Sequence, residues 1–454
     1  MNNMMHIETT DRIWINANEY ETDRIWIRDE YEDEFEETVV PEALNDKENK
    51  ELTEKEIEDE LEAINFPNEV MKGMAGEYAR TSAKTYEAEA HTFFIAFCTL
   101  IGSLVSDQVM MNTAYNSQPR LFTVILGASG NTRKSTACRR TIDLIKGTES
   151  PELNSICLCK GVDSGQGLAL KLEKIRDGND LSKMIFFKDE LKRLMDSGKI
   201  KASTILTVFS ELFEDNDYEG NTLTYERDIR NAHVSLLAAC TIRTYQASWN
   251  DTYLSLGLDN RFFICPTRGI RSKSYEPRIP KDKIDSFRQE LIDICQFVVD
   301  NYNEPRMMVI DMTTPARLLY DLFYKELEEI DENKRIDSYS LRFMIILALI
   351  QRKTVVDEEV VRDVIKIMTW QSEMRVRYAP IEGANIYAKL ENKIIRAAER
   401  FIAKFNRQYT KRELERAFTA SREKRNCGEF IYNKVWKNLE KAGVIRYVSK
   451  PKRK

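Results

Sequence analysis

The stretch that most constrains the fold runs from Arg120 to Ile145. Leu121 to Leu126 is an unbroken series of apolar and β-branched residues that ends at Gly127. A loop of small and polar residues follows, Ala128-Ser129-Gly130-Asn131-Thr132-Arg133, and Lys134-Ser135-Thr136 then opens a helical pattern. An apolar run without alternation reads as a strand covered on both faces. Two further runs, Met184 to Phe187 and Ser235 to Ala239, read the same way, and helical segments separate them. Strands alternating with helices imply a parallel sheet flanked by helices, an α/β architecture.

The loop itself points to phosphate chemistry. Against the pattern G-x-x-x-x-G-K-[ST], Lys134 and Ser135 fall in place, whereas Ala128 and Arg133 stand where glycines are usual. Gly127 and Gly130 are free to take positive φ, and helix N-terminal amides can face a phosphate. The candidate nucleotide-binding set is therefore Gly127, Ala128, Ser129, Gly130, Asn131, Thr132, Arg133, Lys134, Ser135 and Thr136, with ATP and Mg²⁺ as the implied cofactors. Lys134 would neutralise terminal phosphates and Ser135 would ligate Mg²⁺. The alternative is a stray Arg-Lys-Ser in a surface loop.

Three later positions extend this site. Asp189 and Glu190 end the strand at Met184–Phe187, where the first would join the Mg²⁺ shell and the second would polarise a water for attack on the γ-phosphate. Acids after a strand are equally helix caps. Thr241 leaves the strand that begins near Ser235 and would bond the attacking water or γ-phosphate, or else cap the next helix. Arg261, just before the apolar Phe262 to Ile264, would reach a neighbouring subunit's nucleotide, or else form an edge salt bridge.

Other chemistries have little to work with. Three histidines (His6, His91, His233) leave almost nothing for a His-based metal site or a Ser/His/Asp triad. The eight cysteines show neither zinc spacing nor a disulfide framework, which suits a reducing cytoplasm. The longest apolar run, Phe93 to Val105, falls short of the ~20 residues a membrane span needs. A soluble cytoplasmic protein without a membrane partner is expected.

Charge is distributed unevenly. Residues 1–62 hold 22 acidic and 6 basic side chains, whereas residues 385–454 hold 7 acidic and 20 basic ones. The acidic end carries a short repeat, Thr10 to Ile15 and Thr22 to Ile27, each reading Thr-Asp-Arg-Ile-Trp-Ile, followed by an acid run from Asp29 to Glu37. It reads as a largely disordered arm, or as one that docks on a basic surface of this chain or of a partner. The basic end reads as three helices and a strand, a winged helix. Ile394, Ala398 and Phe401 give the first helix an apolar face, Thr410 and Glu413 form a capping box, and Val444 to Val448 is the strand. Lys434, Lys437 and Lys441 lie on the other face of the third helix, suited to DNA phosphates. Protein docking is the alternative use of such a module.

With these residues in view, the chain resembles a family of helicase-like P-loop proteins found in replication modules of phages, plasmids and integrated islands, often joined to a primase-polymerase. The resemblance covers roughly residues 64–375 and rests on Phe66 to Val70, the loop Gly127 to Ser135, Asp163 to Leu168, Asp189-Glu190 and Gly257 to Phe262. More broadly it is similar to AAA+ ATPases, especially the minichromosome-maintenance helicases. That likeness implies a hexamer-like homo-oligomeric ring, a helical lid, and Arg342 as a lid arginine on the γ-phosphate, unless it is an ordinary helix-surface arginine. It also implies a DNA-gripping hairpin around Gly220-Asn221, in which Arg227 or Arg230 would stand in for a missing tip lysine. The expected order is an acidic arm (1–62), a helical segment (63–118), a P-loop ATPase core (119–300), a helical lid (301–384) and the basic winged helix (385–454). The leading expectation is an ATP-dependent DNA helicase of a mobile element, with a primase or primase-polymerase as possible partner. The others are an ATPase switch or loader that does not unwind, and a non-catalytic DNA- or origin-binding protein.

Overall fold

The computed structural model describes residues 65–378 apart from residues 116, 131, 163, 177–181, 199–203, 222–225, 250–252, 255, 270–277 and 328–332. It also describes strands at Trp14–Ile15, Ile25–Trp26 and Ile445–Arg446 and scattered helical positions between 390 and 439. Leu52–Pro380 forms one compact unit, and Met1–Glu51 with Ile381–Lys454 forms another.

The larger unit is built on five parallel strands: β1 (Phe122–Gly127), β2 (Cys157–Cys159), β3 (Ser182–Lys188), β4 (Ala232–Thr241) and β5 (Phe263–Pro266). Their order across the sheet is β5-β1-β4-β3-β2. Every residue of β1 is buried, as is all of β4 except Thr241. Such strands need cover on both faces, which explains the unbroken apolar runs.

The cover comes from α1 (Gly73–Tyr86), α2 (Ala90–Leu104), α3 (Lys134–Ile142), α4 (Gly165–Arg176), α5 (Leu191–Gly198) and α6 (Ile205–Glu214). Helix α2 is buried at every position after Ala90, so the longest apolar run of the chain is a core helix. Two of its hydroxyls are satisfied within the core: Thr99 donates to the Ile95 carbonyl at 2.8 Å and lies 2.7 Å from the Thr123 hydroxyl, and Ser103 donates to the Thr99 carbonyl at 2.7 Å. Gly102 is required there, because a Cβ would sit 2.0 Å from the Pro119 carbonyl oxygen. Among the described residues no helix is long and apolar enough to cross a membrane.

Helix α7 (Ile242–Ala247) links β4 towards β5, and after β5 come α8 (Lys281–Asp300), α9 (Thr314–Glu326), α10 (Ile336–Ile350) and α11 (Glu358–Arg377). The segment expected as a lid is tied to the turn that leads into β5. The Tyr339 hydroxyl donates to the Arg261 carbonyl at 2.6 Å, and the Arg375 guanidinium donates to the carbonyls of Lys334 at 2.7 Å and Asn260 at 2.9 Å. Arg342 corrects an expectation. It is neither a surface residue nor near the loop. Its guanidinium is buried, donates to the carbonyls of Arg120 at 2.7 Å and Phe213 at 2.8 Å, and lies 3.9 Å from the Phe213 ring centre.

A two-stranded ribbon pairs Tyr218–Asn221 with Glu226–Ile229, setting Gly220 opposite Arg227. Gly220 and Asn221 are thus strand positions rather than a turn, and residues 222–225 lie outside the described residues. Arg230 follows the ribbon and pairs with Asp217 at 3.2 Å and with Glu219.

In the smaller unit the two copies of the repeat supply antiparallel strands, Trp14 opposite Trp26 and Ile15 opposite Ile25. The second copy also pairs in parallel with the C-terminal strand, Ile25 opposite Ile445 and Trp26 opposite Arg446. Tyr432, Val435, Trp436 and Leu439 are buried at helical spacing, while Asn433 and Lys437 are exposed.

Candidate functional site

Strands β1 and β4 end side by side, with Gly127 opposite Thr241. The loop after β1 therefore opens at the carboxyl edge of the sheet, beside a crossing point in strand order, where α/β folds hold ligands. Gly130 takes φ +84°. Gly127 does not use positive φ, and close approach is what demands glycine: a Cβ there would lie 2.4 Å from the Thr132 hydroxyl oxygen and 3.0 Å from the Thr267 carbonyl oxygen. Asn131 lies outside the described residues.

Two donors reach across this loop to one acceptor. The Thr132 hydroxyl and the Lys134 ammonium both donate to the Ala128 carbonyl, at 3.0 and 2.8 Å. Partial burial lowers the Lys134 pKa below the ordinary lysine value, against the opposing pull of nearby acidic groups that include Glu190. Arg133 adopts φ 52°, ψ 15° at the start of α3, a left-handed conformation that favours glycine. Its guanidinium lies 3.4 Å from a Glu87 carboxylate oxygen. Ser129 and Gly130 are exposed, and Ser135 and Thr136 are half-buried in the first turn of α3.

The Ser135 hydroxyl is 3.5 Å from the backbone oxygen of Asp189, so the ends of β1 and β3 meet although β4 lies between them. Arg139, one turn beyond Ser135 and thus on the same face of α3, was not among the residues the pattern suggested. It holds both Asp189 carboxylate oxygens, Nε at 3.0 Å from each and Nη2 at 2.6 Å from one, and the carboxylate raises the Arg139 pKa. Both side chains are about half-exposed, so the pair is worth no more than ~1 kcal/mol and can exchange for another partner. Ser135 and Asp189 offer the hard oxygen donors that Mg²⁺ takes. Glu190 is exposed at the foot of α5.

Thr241 caps α7. Its hydroxyl accepts from the Thr244 amide at 3.1 Å and donates to the Thr244 hydroxyl at 2.7 Å. Arg261 is folded onto its own loop, donating to the carbonyls of Leu256 at 2.6 Å and Gly257 at 2.9 Å, with Nε 3.6 Å from Glu214. Burial lowers its pKa. The pairing expected at a sheet edge is thus present, and the guanidinium is not extended toward a neighbour. Arg342 lies in the core, as above. Lys437 is exposed; Lys434, Lys441 and the Arg227 side chain lie outside the described residues.

A cleft beside Ala128 was not foreseen from the residue pattern. Phe66 stacks on His91 with ring centres 5.2 Å apart, Trp370 meets Phe66 edge-on at 5.0 Å, and Ile242 and Tyr378 complete the wall. His91 Nε2 lies 2.8 Å from the Pro266 carbonyl oxygen, which fixes the ring. The cleft thus sets aromatic side chains beside the loop, with Glu89, Arg268 and Arg377 also in its lining. Only Phe66-Pro67 was visible in advance, as the start of a helical stretch. No protein-family model matches this chain, and no curated protein matches it.

Proposed function

We propose that the chain is an ATP- and Mg²⁺-dependent motor on DNA, with an AAA+-like P-loop core, working as a homo-oligomeric ring with its basic C-terminal segment, a winged helix, on DNA. The observation that carries the reading is the meeting of Lys134, Ser135 and Asp189 at one edge of a sheet ordered β5-β1-β4-β3-β2. Lys134 would turn from the Ala128 carbonyl to the terminal phosphates, and Ser135 and Asp189 would hold the metal once Arg139 yields the carboxylate. Glu190 would orient a water and take its proton. The cleft at Phe66, His91 and Trp370 would hold the base. Bound ATP supplies the phosphoanhydride bond whose hydrolysis drives the cycle. Replication of a mobile element, beside a primase, is the setting that the family resemblance suggests.

A second reading, an ATPase switch or loader that does not unwind, is favoured by Arg261, which is tied to its own loop. Steady-state ATP hydrolysis with and without single-stranded and duplex DNA tests the proposal. DNA-stimulated turnover is expected in the intact protein and its loss in Lys134→Ala and Glu190→Gln. Absence of turnover in the intact protein at every DNA concentration would refute it. Strand displacement on a forked duplex separates motor from switch.

A further inference from the structure

At the far end of α3 from the loop after β1, a cavity of about 390 Å³ opens between α1, α3 and α8. That volume lies in the range of small-molecule sites, about 300–1,000 Å³. Its lining joins three arginines, Arg140, Arg278 and Arg288, to the apolar Leu144, Ile279 and Ile284. Arg288 serves the fold: its guanidinium donates to the carbonyls of Leu144 at 2.9 Å and Asp143 at 3.3 Å, just past the end of α3. The other two are available to a ligand. Arg278 is exposed, and no described residue pairs with it. Arg140 is held loosely, with Nη1 3.6 Å from an Asp143 oxygen and its guanidinium 5.1 Å from the Tyr86 ring centre. Asp143 has a closer partner, the Lys146 ammonium at 2.6 Å, so Arg140 can turn to another anion without stranding a carboxylate. That turn also frees the face of Tyr86, on which a base can stack. On the α1 wall the Tyr78 hydroxyl is satisfied by Thr141 at 2.9 Å, whereas the fully buried Ser82 hydroxyl finds no well-directed hydrogen-bond partner. A buried hydroxyl left in that state costs free energy that a polar group of a ligand would recover.

Two guanidiniums, an aromatic face, apolar walls and an unsatisfied hydroxyl suit a ligand with an anionic end and a ring that carries hydrogen-bonding groups. We infer that this cavity binds a nucleotide unit, its phosphate on Arg140 and Arg278 and its base between Tyr86 and the apolar wall, as a site separate from the loop after β1. Arg140 lies six residues beyond Lys134, about 9 Å along the axis of α3, so the two sites share a helix and no residue. The cavity does not depend on the ATPase reading.

Such a unit comes either as a free nucleotide or as part of a single strand, and the experiment separates the two. Full-length protein is photolabelled with adenosine monophosphate carrying an azide on its base, and the labelled peptides are identified by mass spectrometry. Label on Tyr86 or within residues 278–288 is expected. Label confined to the loop after β1 and the cleft at Phe66, or no label at all, would overturn the proposal. Arg140→Gln/Arg278→Gln should raise the half-saturating concentration for label in the cavity at least about tenfold, by removing charge-assisted bonds to phosphate. Ile284→Trp, which fills the cavity and leaves its charge unchanged, should abolish that label, with circular dichroism to confirm that the variant folds. Undiminished label in the arginine variant, whose two side chains are exposed and whose folding is therefore not at stake, would overturn the proposal by itself. Inorganic phosphate that competes as well as adenosine monophosphate would show a plain anion site with no place for a base, and would overturn it too. Competition also assigns the source. Oligothymidylate displacing the cavity label at a lower concentration than adenosine monophosphate points to a strand, and the reverse order points to a free nucleotide. Absence of ATP hydrolysis by the intact protein refutes the motor reading and leaves the cavity label expected.

Discussion

Arg133→Gly should leave the protein as stable as before or slightly more so, an unusual outcome for removing a charged side chain from a candidate functional loop. Arg133 sits at φ 52°, where a non-glycine residue costs roughly 1–2 kcal/mol. Glycine relieves that cost but gives back roughly 0.5–1 kcal/mol in chain entropy. The pair with Glu87 is half-exposed on the arginine side and contributes at most ~0.5 kcal/mol. The net change for Arg133→Gly therefore lies between about −0.5 and +1.5 kcal/mol, centred near +0.5. Arg133→Ala separates the terms, since it loses the same ion pair and keeps the strained backbone, so glycine should exceed alanine by about 1 kcal/mol. Urea unfolding followed through the buried Trp249 and Trp370 measures both variants. Equal midpoints and slopes for the glycine and alanine variants would show that no strain is held at this position. The reasoning that treats Arg133 as a residue forced into a glycine's conformation would then fail.

Three further outcomes follow from the packing. His233 is buried between Arg120 and Lys183, and desolvation, with those cations second, pushes its pKa down to about 3 from the free value near 6.5. Between those two values the unfolded chain binds a proton that the native state refuses, so stability falls as the pH falls. The loss at pH 5 is about 2 kcal/mol relative to neutral pH. Unfolding curves of His233→Gln should lack that component, and an identical pH dependence in both proteins would contradict the assignment. Gly127→Ala brings a Cβ to 2.4 Å from Thr132 Oγ1 and should cost about 1–3 kcal/mol by thermal unfolding, with weakened nucleotide binding. An unchanged melting temperature would sink the close-approach argument. Arg342→Met, which leaves two carbonyls without their donor, should cost about 2–4 kcal/mol while the KM for ATP stays constant at temperatures where the variant is folded. A tenfold rise in KM, on the order of 1.4 kcal/mol, would put Arg342 back at the nucleotide.

What the chain reveals in advance, and what it hides, divides by range. β1, β3 and β4 are legible because full burial demands apolar residues at consecutive positions, a condition that each strand meets by itself. The loop is legible for the same reason: positive φ at Gly130 and the Lys134-Ser135 pair are local requirements. Arg342 is not legible, because its neighbours Ser340, Leu341, Phe343 and Met344 satisfy the same helical pattern whether that face meets solvent or core. Its fate is decided by carbonyls of Arg120 and Phe213, contributed by distant strand and helix ends whose approach no periodicity encodes. Arg139 and Arg261 follow the same logic, since each is claimed by a partner on another element, Asp189 or Glu214. The repeat stands between these cases. Six residues copied once announce a strand-forming segment, but not which edge it joins; that depends on a strand more than 400 residues away, Ile445–Arg446.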